Sequence, residues 1–202
     1  MVRPLEKLDQ EAIASEAKKG YGLLIVGIGN TRARSGEFHP DLARLVSAFE
    51  GPVAIVAGRD RQLAEPQRGL SSILVPESGT EISRRAAELA IALARACECP
   101  VTALHVAHTG ATGVRRGLHG HQQARAIIGE VAQMGERYGV KMKTAVRTDV
   151  APDQAILSQA KQTSYDLLIM GVSRRPGEKL FLGDTAAAIL LHSPHSILFL
   201  VS

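Results

Sequence analysis

The residues best suited to chemistry lie in one glycine-rich segment near the end of the chain. Gly171, Gly177 and Gly183 leave room for the backbone to approach a phosphate group, and Arg174 supplies a positive charge between them. Asp184 follows Gly183 at a predicted helix start, where backbone N–H groups are free to bind an anion. These residue types in this order predict a phosphate site.

The helix start after Gly183 also contains a feature that opposes this interpretation. Asp184 is a good N-cap, because its carboxylate can accept hydrogen bonds from the first-turn amides. Its charge would repel a phosphate at the same position. Thr185 belongs to the same first turn. A loop with only a structural role therefore remains the alternative to a binding loop.

A second candidate segment consists of Pro76, Glu77 and Ser78, which follow a predicted strand, while Val106 ends the next strand. In doubly wound sheets, ligands bind outside the carboxyl ends of the strands, where the strand order reverses. We therefore expect these residues to lie at the same edge as the Gly171 segment. No histidine or acid has a sequence-defined role beside Ser78, so we predict binding and no catalytic residue.

Other patterns carry less chemistry. Residues 27–32 resemble half of a dinucleotide fingerprint, but an arginine occupies the third glycine position and no helix starts at once. His119 and His121 are one residue apart and do not share a helical face. Cys97 and Cys99 are too few for a structural zinc site and are interpreted as reduced thiols. We predict no metal site.

The composition limits the partners and the compartment. The 202 residues have a net charge of +4 without a basic tail, and aromatic residues make up 3% with no Trp. This argues against nucleic acid as a partner. The chain has no signal-peptide pattern and no apolar run of about 18 residues. We expect a cytoplasmic protein, which could still be a soluble part of a larger membrane protein.

Residues 71–202 alternate between strand and helix patterns. The predicted strands cover residues 72–76, 101–106, 141–147, 167–170 and 197–201. The predicted helices cover residues 83–97, 118–138, 153–163 and 185–192, with a loop over 107–117. Five strands with four intervening helices predict an α/β protein with an open, doubly wound parallel sheet.

The first 60 residues repeat the second half of this pattern. Blocks at 12–18, 21–27 and 51–56 match, in the same order, blocks at 155–161, 165–171 and 193–198. The chain is thus predicted to contain a partial domain (1–60), a linker (61–70) and a complete domain (71–202). Two strands alone bury too little surface, so the partial domain must dock. The apolar strand 197–200 needs a partner, and residues 53–56 offer one within the chain or between two chains.

The complete domain resembles a universal stress protein domain. That family binds a nucleotide through a loop with glycines at three set positions, followed by Ser or Thr. Gly171 takes the first position and Gly183 the third, one residue closer than usual. Arg174 occupies the second position, Gly177 comes three residues later, and Asp184 replaces the hydroxyl. The resemblance implies the strand order 3-2-1-4-5 and pairing of the last strands across a two-fold axis.

The same resemblance implies an adenine nucleotide, ATP or AMP, with Mg²⁺. The adenine would lie between the loop Pro76–Ser78 and Val106. The phosphates would lie against Gly171, Arg174, Gly177 and the helix that starts at Gly183. One departure is that Ser78 stands where the family has an Asp.

The partial and complete domains together are similar to the cytoplasmic C-terminal region of bacterial cation/proton (Na⁺/H⁺) antiporters. This implies a non-enzymatic regulatory module at the cytoplasmic face of the membrane. It would associate with itself, as a homodimer or pseudo-dimer, and contact the membrane domain of a transporter. Two alternatives are a stand-alone stress-type protein with weak ATPase activity and a structural dimerisation domain with a vestigial pocket.

Overall fold

The computed structural model describes residues 20–28, 42, 46, 49, 51–65, 67–107, 114–173 and 183–202. Its strands are β1 (Leu24–Ile28), β2 (Val53–Ala57), β3 (Ile73–Glu77), β4 (Val101–Ala107), β5 (Met142–Thr148), β6 (Leu167–Val172) and β7 (Ser196–Val201). Its helices are α1 (Asp60–Ala64), α2 (Glu81–Cys97), α3 (Val114–Arg137), α4 (Pro152–Gln162) and α5 (Gly183–His192).

The described strands form one seven-stranded sheet in the order β1-β2-β7-β6-β3-β4-β5. All neighbouring pairs are parallel except β2 with β7. The order reverses at β3, which pairs with β4 on one side and β6 on the other. The sheet is therefore larger than the five parallel strands predicted for residues 71–202, because β1 and β2 extend it. It also differs from that prediction in containing one antiparallel pair, β2 with β7.

Helices cover both faces of this sheet, as expected for strands without charged residues in their centres. On one face, α4 and α5 pack against apolar side chains that include Leu74, Leu104 and Phe199. On the other face, α2 and α3 pack against Val75, Ile169 and neighbouring residues. Because both faces are covered, β6 and β7 read as continuous apolar runs rather than alternating ones.

Strands β2 and β7 join the N-terminal segment to the rest of the molecule within one chain. Their antiparallel register pairs Val53 with Val201 and Ile55 with Phe199. Every residue of β7 is buried. The sequence left open whether this pairing occurs within one chain or between two; the structure places it within one chain.

The parallel pairs β1–β2 and β6–β7, which lie on either side of the antiparallel pair β2–β7, have the same separation in sequence. In the parallel pair β1–β2, Leu24 lies beside Val53, and in β6–β7, Leu168 lies beside Ile197. The separation is 29 residues in both (53 minus 24 and 197 minus 168). Each pair thus places its strands in the same relative register.

Two elements differ from the sequence expectation. The segment 61–70, predicted as a linker, overlaps the short helix α1. Helix α3 begins at Val114, inside the predicted loop 107–117 and before the expected start at Leu118. Gly117 costs a helix only about 1 kcal/mol, and a long helix packed on a sheet tolerates that cost. The rest of that loop, 108–113, lies outside the described residues.

Candidate functional site

A cavity of about 410 Å³ lies at the carboxyl ends of β3, β4 and β6, where the strand order reverses. Eight of the ten predicted binding residues line it: Pro76, Glu77, Ser78, Val106, Gly171, Gly183, Asp184 and Thr185. The other two, Arg174 and Gly177, lie outside the described residues. The fold therefore brings two loops that are about 100 residues apart in sequence to one crevice, as expected for this topology.

Part of the cavity lining is apolar. Leu104 and Val106 from β4, Ile156 from α4 and Met170 from β6 contribute apolar side chains. Pro152 begins α4 at the same edge. A flat, uncharged ring system fits such a surface, since apolar contact and exclusion of water favour its burial.

The start of α5 forms a polar part of the cavity lining. Gly183 begins the helix with φ 77°, a left-handed conformation that favours glycine. Asp184 and Thr185 follow it in the first turn and line the cavity. The first-turn N–H groups of a helix have no partner within the helix, so this part of the lining suits an anionic or strongly accepting group.

Glu77 also lines the cavity and is 4% exposed. Its Oε1 accepts hydrogen bonds from the Gly79 N–H (2.8 Å) and from the Ser83 hydroxyl. Its Oε2 is buried and has no partner among the described residues. His105 Nδ1 contacts the backbone oxygen of Glu77 at 2.7 Å. Glu77 is thus held in place by the start of α2, with one carboxylate oxygen left without a donor.

The loop after β3 is shaped by the N-terminal cap of α2. Thr80 is the N-cap, and its hydroxyl accepts from the Ser83 N–H at 3.3 Å while the Ser83 hydroxyl accepts from the Thr80 N–H at 3.1 Å. The Ser78 hydroxyl contacts that of Thr80 at 3.0 Å. Ser83 also lines the cavity, so this capping box positions one wall of the site.

Gly171 has a packing role that the sequence interpretation did not include. A Cβ at this position would lie 2.3 Å from the carbonyl oxygen of Ile82 and 2.9 Å from the N of Ser83. Strand β6 and the first turn of α2 therefore approach each other backbone to backbone. The glycine was predicted for approach to a phosphate, but helix–strand packing alone already requires it.

Charge in the cavity is acidic among the lining residues that the structure describes. Glu77 and Asp184 are the charged members of that set. A positive charge beside a phosphate would thus have to come from a residue outside this set. Arg174 is the residue that the sequence predicts for this role. Within the described part of the chain, no three His, Cys, Asp or Glu side chains are grouped to hold a metal ion.

Neither of the two cysteines lines the cavity. Cys97 is exposed at the end of α2, and Cys99 is buried; both are free thiols. Burial raises the pKa of the Cys99 thiol, with Cys97 and Asp166 adding to the effect. A buried thiol with a raised pKa stays protonated and unreactive, as expected for a structural residue.

Sequence reasoning missed half of the cavity wall. The missed lining residues are Ser83, Leu104, Pro152, Ile156, Met170, Val172, Ser173 and Ala186. The start of α4 could have been found, because in a doubly wound sheet each helix that follows a strand begins near the carboxyl edge. A second cavity of about 440 Å³, between the start of α2 and the C-terminal part of α3, had no sequence signal.

Comparison with known proteins identifies the family. The model of the universal stress protein family matches residues 70–200, and the chain belongs to that family. The universal stress protein MJ0531 of Methanocaldococcus jannaschii is 27% identical over 127 residues, which cover 58% of this chain and 74% of that protein.

Two solved structures share the fold. A universal stress protein from Archaeoglobus fulgidus matches with a TM-score of 0.60 and 15% identity, over 91% of this chain and 62% of that one. A universal stress protein from the same organism in complex with dAMP matches with a TM-score of 0.51 and 13% identity, over 64% of this chain and 97% of that one. The first match extends beyond the family region into the N-terminal segment. In this chain, none of the described helices is long and apolar enough to span a bilayer.

Proposed function

We propose that this protein binds an adenine nucleotide, ATP or AMP, in the cavity at the carboxyl ends of β3, β4 and β6. The observation that carries the proposal is that apolar side chains and a helix N-terminus line one cavity of about 410 Å³. A nucleotide has matching features, with a flat base at one end and phosphates at the other. The related protein with bound dAMP supports the same ligand class.

The cavity suggests an orientation for the nucleotide. The adenine would lie against Val106 and Ile156, near the loop Pro76–Ser78. The phosphates would lie toward Gly171 and the first turn of α5, where Arg174 and Gly177 are the proposed further contacts. Mg²⁺ would offset the repulsion between the phosphates and Asp184, because a bound cation reverses the sign of the local field.

The experiment that tests this proposal measures the effect of Asp184 on affinity. Asp184→Ser removes a negative charge at the helix start and keeps a residue that can cap the helix. We expect AMP and ATP to bind about two- to fivefold more tightly, which corresponds to about 0.3–1 kcal/mol of relieved repulsion at a helix terminus. Isothermal titration calorimetry at one salt concentration and without magnesium measures it, so that no cation offsets the repulsion.

Asp153→Ser is the matched control. Asp153 is also an acidic first-turn residue, in α4, but it does not line the cavity. We expect this variant to bind nucleotide as the parent does. Absence of binding to the parent and to Asp184→Ser, with both proteins folded, would contradict the proposal and favour a domain with a vestigial pocket.

We further propose that the N-terminal segment is the second half of another domain of the same family. The support is the shared 29-residue register of β1–β2 and β6–β7, together with the structural match over 91% of the chain. A chain with one and a half such domains is consistent with the cytoplasmic regulatory region of a cation/proton antiporter. Membrane-spanning segments encoded in the same reading frame would support that role.

We propose binding without turnover, and the alternative is a stand-alone protein with weak ATPase activity. Release of inorganic phosphate from ATP over a long incubation separates the two. We expect no release above that of buffer. Release that disappears when the cavity is blocked by Val106→Trp would favour the ATPase alternative.

A further inference from the structure

Among the residues that the structure describes, the outer edge of β1 has no neighbouring strand. Strand β1 ends the sheet, and among the described residues no strand pairs with it on the side away from β2. Its sequence, Leu-Ile-Val-Gly-Ile, contains no charged residue. At the opposite end of the sheet, β5 has Lys143 and Arg147. Charges protect an edge strand against pairing with another chain, and β1 has none.

The two faces of β1 differ. Leu24, Val26 and Ile28 are half-buried and pack against the core beneath α4 and α5. Ile25 and Gly27 lie on the other face, and Ile25 is 66% exposed. No atom of the described residues lies within 4 Å of a Cβ placed at Gly27. A bulky exposed side chain and an open position thus stand two residues apart on one face.

We propose that β1 pairs antiparallel with β1 of a second copy of this chain. With the two-fold axis at Val26, Leu24 lies opposite Ile28 of the other copy, and Ile25 lies opposite Gly27. Each exposed Ile25 side chain then has room over the glycine of the other strand, and the fit occurs twice because the axis is two-fold. The half-buried residues Leu24, Val26 and Ile28 continue the core across the axis.

The antiparallel pairing of two β1 strands is favoured over two other ways in which copies of this chain could pair. The edge where two family domains were expected to meet, that of β7, is already occupied by β2. A parallel pairing of two β1 strands across a two-fold axis would set N–H opposite N–H and C=O opposite C=O, so the hydrogen bonds between the strands could not form. The antiparallel pairing forms these bonds and consumes both β1 edges, and the charges of β5 protect the remaining edge.

The test is the molar mass in solution, measured by sedimentation for the parent and for two lysine variants. Ile25→Lys places a charge on the proposed interface; Val146→Lys makes the same change at an exposed valine of β5, on the other edge. We expect the parent and Val146→Lys to be dimers at about 50 µM and Ile25→Lys to be a folded monomer. A monomeric parent, or a dimeric Ile25→Lys, would overturn the proposal.

A second measurement tests the register. Residues directly opposite on antiparallel strands have Cβ atoms about 4.5–5.5 Å apart. In a Cys97→Ser background, Val26→Cys should therefore form a disulfide between two chains under mild oxidation, and Val146→Cys should not. A Val26→Cys chain that runs as a monomer on a non-reducing gel would contradict the two-fold axis at Val26, even if the protein were dimeric.

Discussion

At the scale of single residues, Gly171 has a packing role in addition to the ligand role predicted for it. The sequence indicated the ligand role, a close approach of backbone to a ligand. The packing role, the contact with the first turn of α2, depends on the distance between a strand and a helix that begins some 90 residues earlier. The residues near Gly171 in the sequence give no information about that distance. The ligand role of Gly171 therefore stays a prediction, and its packing role could not be predicted from the sequence.

Gly171→Ala separates the packing role from ligand binding. Because the new Cβ would meet the backbone of Ile82 rather than a flexible side chain, strand or helix must shift. We expect the free energy of unfolding to fall by about 1–3 kcal/mol without any ligand present. Urea denaturation of the ligand-free protein measures this.

The control for this substitution is Gly129→Ala. Gly129 lies in α3, and no atom stands within 4 Å of a Cβ placed there. Alanine should stabilise the helix by up to about 1 kcal/mol. Equal stability of the parent and Gly171→Ala would show that the helix is free to move and that a ligand role alone explains the glycine.

At the scale of elements, the periodic patterns predicted the strands and helices of residues 71–202 to within a few residues. Continuous apolar runs such as Leu167–Met170 identify buried strands without help from tertiary structure. The start of α3 was missed because Gly117 and its neighbours suggest a loop when considered alone. The repeat stays a prediction, and its alignment of Pro52 with Pro194 places Ile55 over Ile197.

The strand register gives a different correspondence for that repeat. If β1–β2 and β6–β7 are equivalent, Ile55 corresponds to Phe199, two residues further along. A shift of two residues keeps every side chain on the same face of the sheet, so the hydrophobic pattern cannot detect it. Only the pairing of neighbouring strands distinguishes the two alignments.

The contact between the N-terminal segment and α5 depends on Arg59. Its guanidinium donates to the carbonyl oxygen of Leu190 in the last turn of α5, and its backbone N–H donates to Ser196 Oγ at 3.0 Å. A cation at a helix C-terminus is favourable, and a charge-assisted hydrogen bond contributes about 1.5–3 kcal/mol.

We expect Arg59→Ala to lower the melting temperature. The free energy of unfolding, measured by chemical denaturation, should fall by about 1–2 kcal/mol. Arg68→Ala serves as the comparison, because the Arg68 side chain forms an exposed ion pair with Glu65 at 3.4 Å and no other hydrogen bond or ion pair among the described residues. That change should stay within about 0.5 kcal/mol. If both variants behave alike, the contact with Leu190 contributes nothing measurable.

At the scale of the whole molecule, β2 covers the edge at which β7 would otherwise end the sheet. The cavity could be placed from sequence because strand order fixes where parallel strands end. The seven-stranded sheet was harder to predict, since the apolar patterns of β2 and β7 permit pairing within a chain or between chains. The second cavity depends on the gap between α2 and α3, which no sequence pattern records.

Removing residues 1–69 tests whether β2 is what keeps β7 from other partners. The shortened chain retains the region matched by the family model, residues 70–200, but exposes the edge of a strand whose six residues are all buried in the full chain. Unpaired backbone groups beside apolar side chains on both faces favour pairing with another chain. We expect a dimer through β7, detected by light scattering as a doubled molar mass.

The full-length Ile25→Lys variant is the reference, because its β7 remains covered by β2 and its β1 edge is blocked. A shortened chain that is monomeric, with a melting temperature equal to that of this reference, would mean that β2 neither protects nor stabilises the edge.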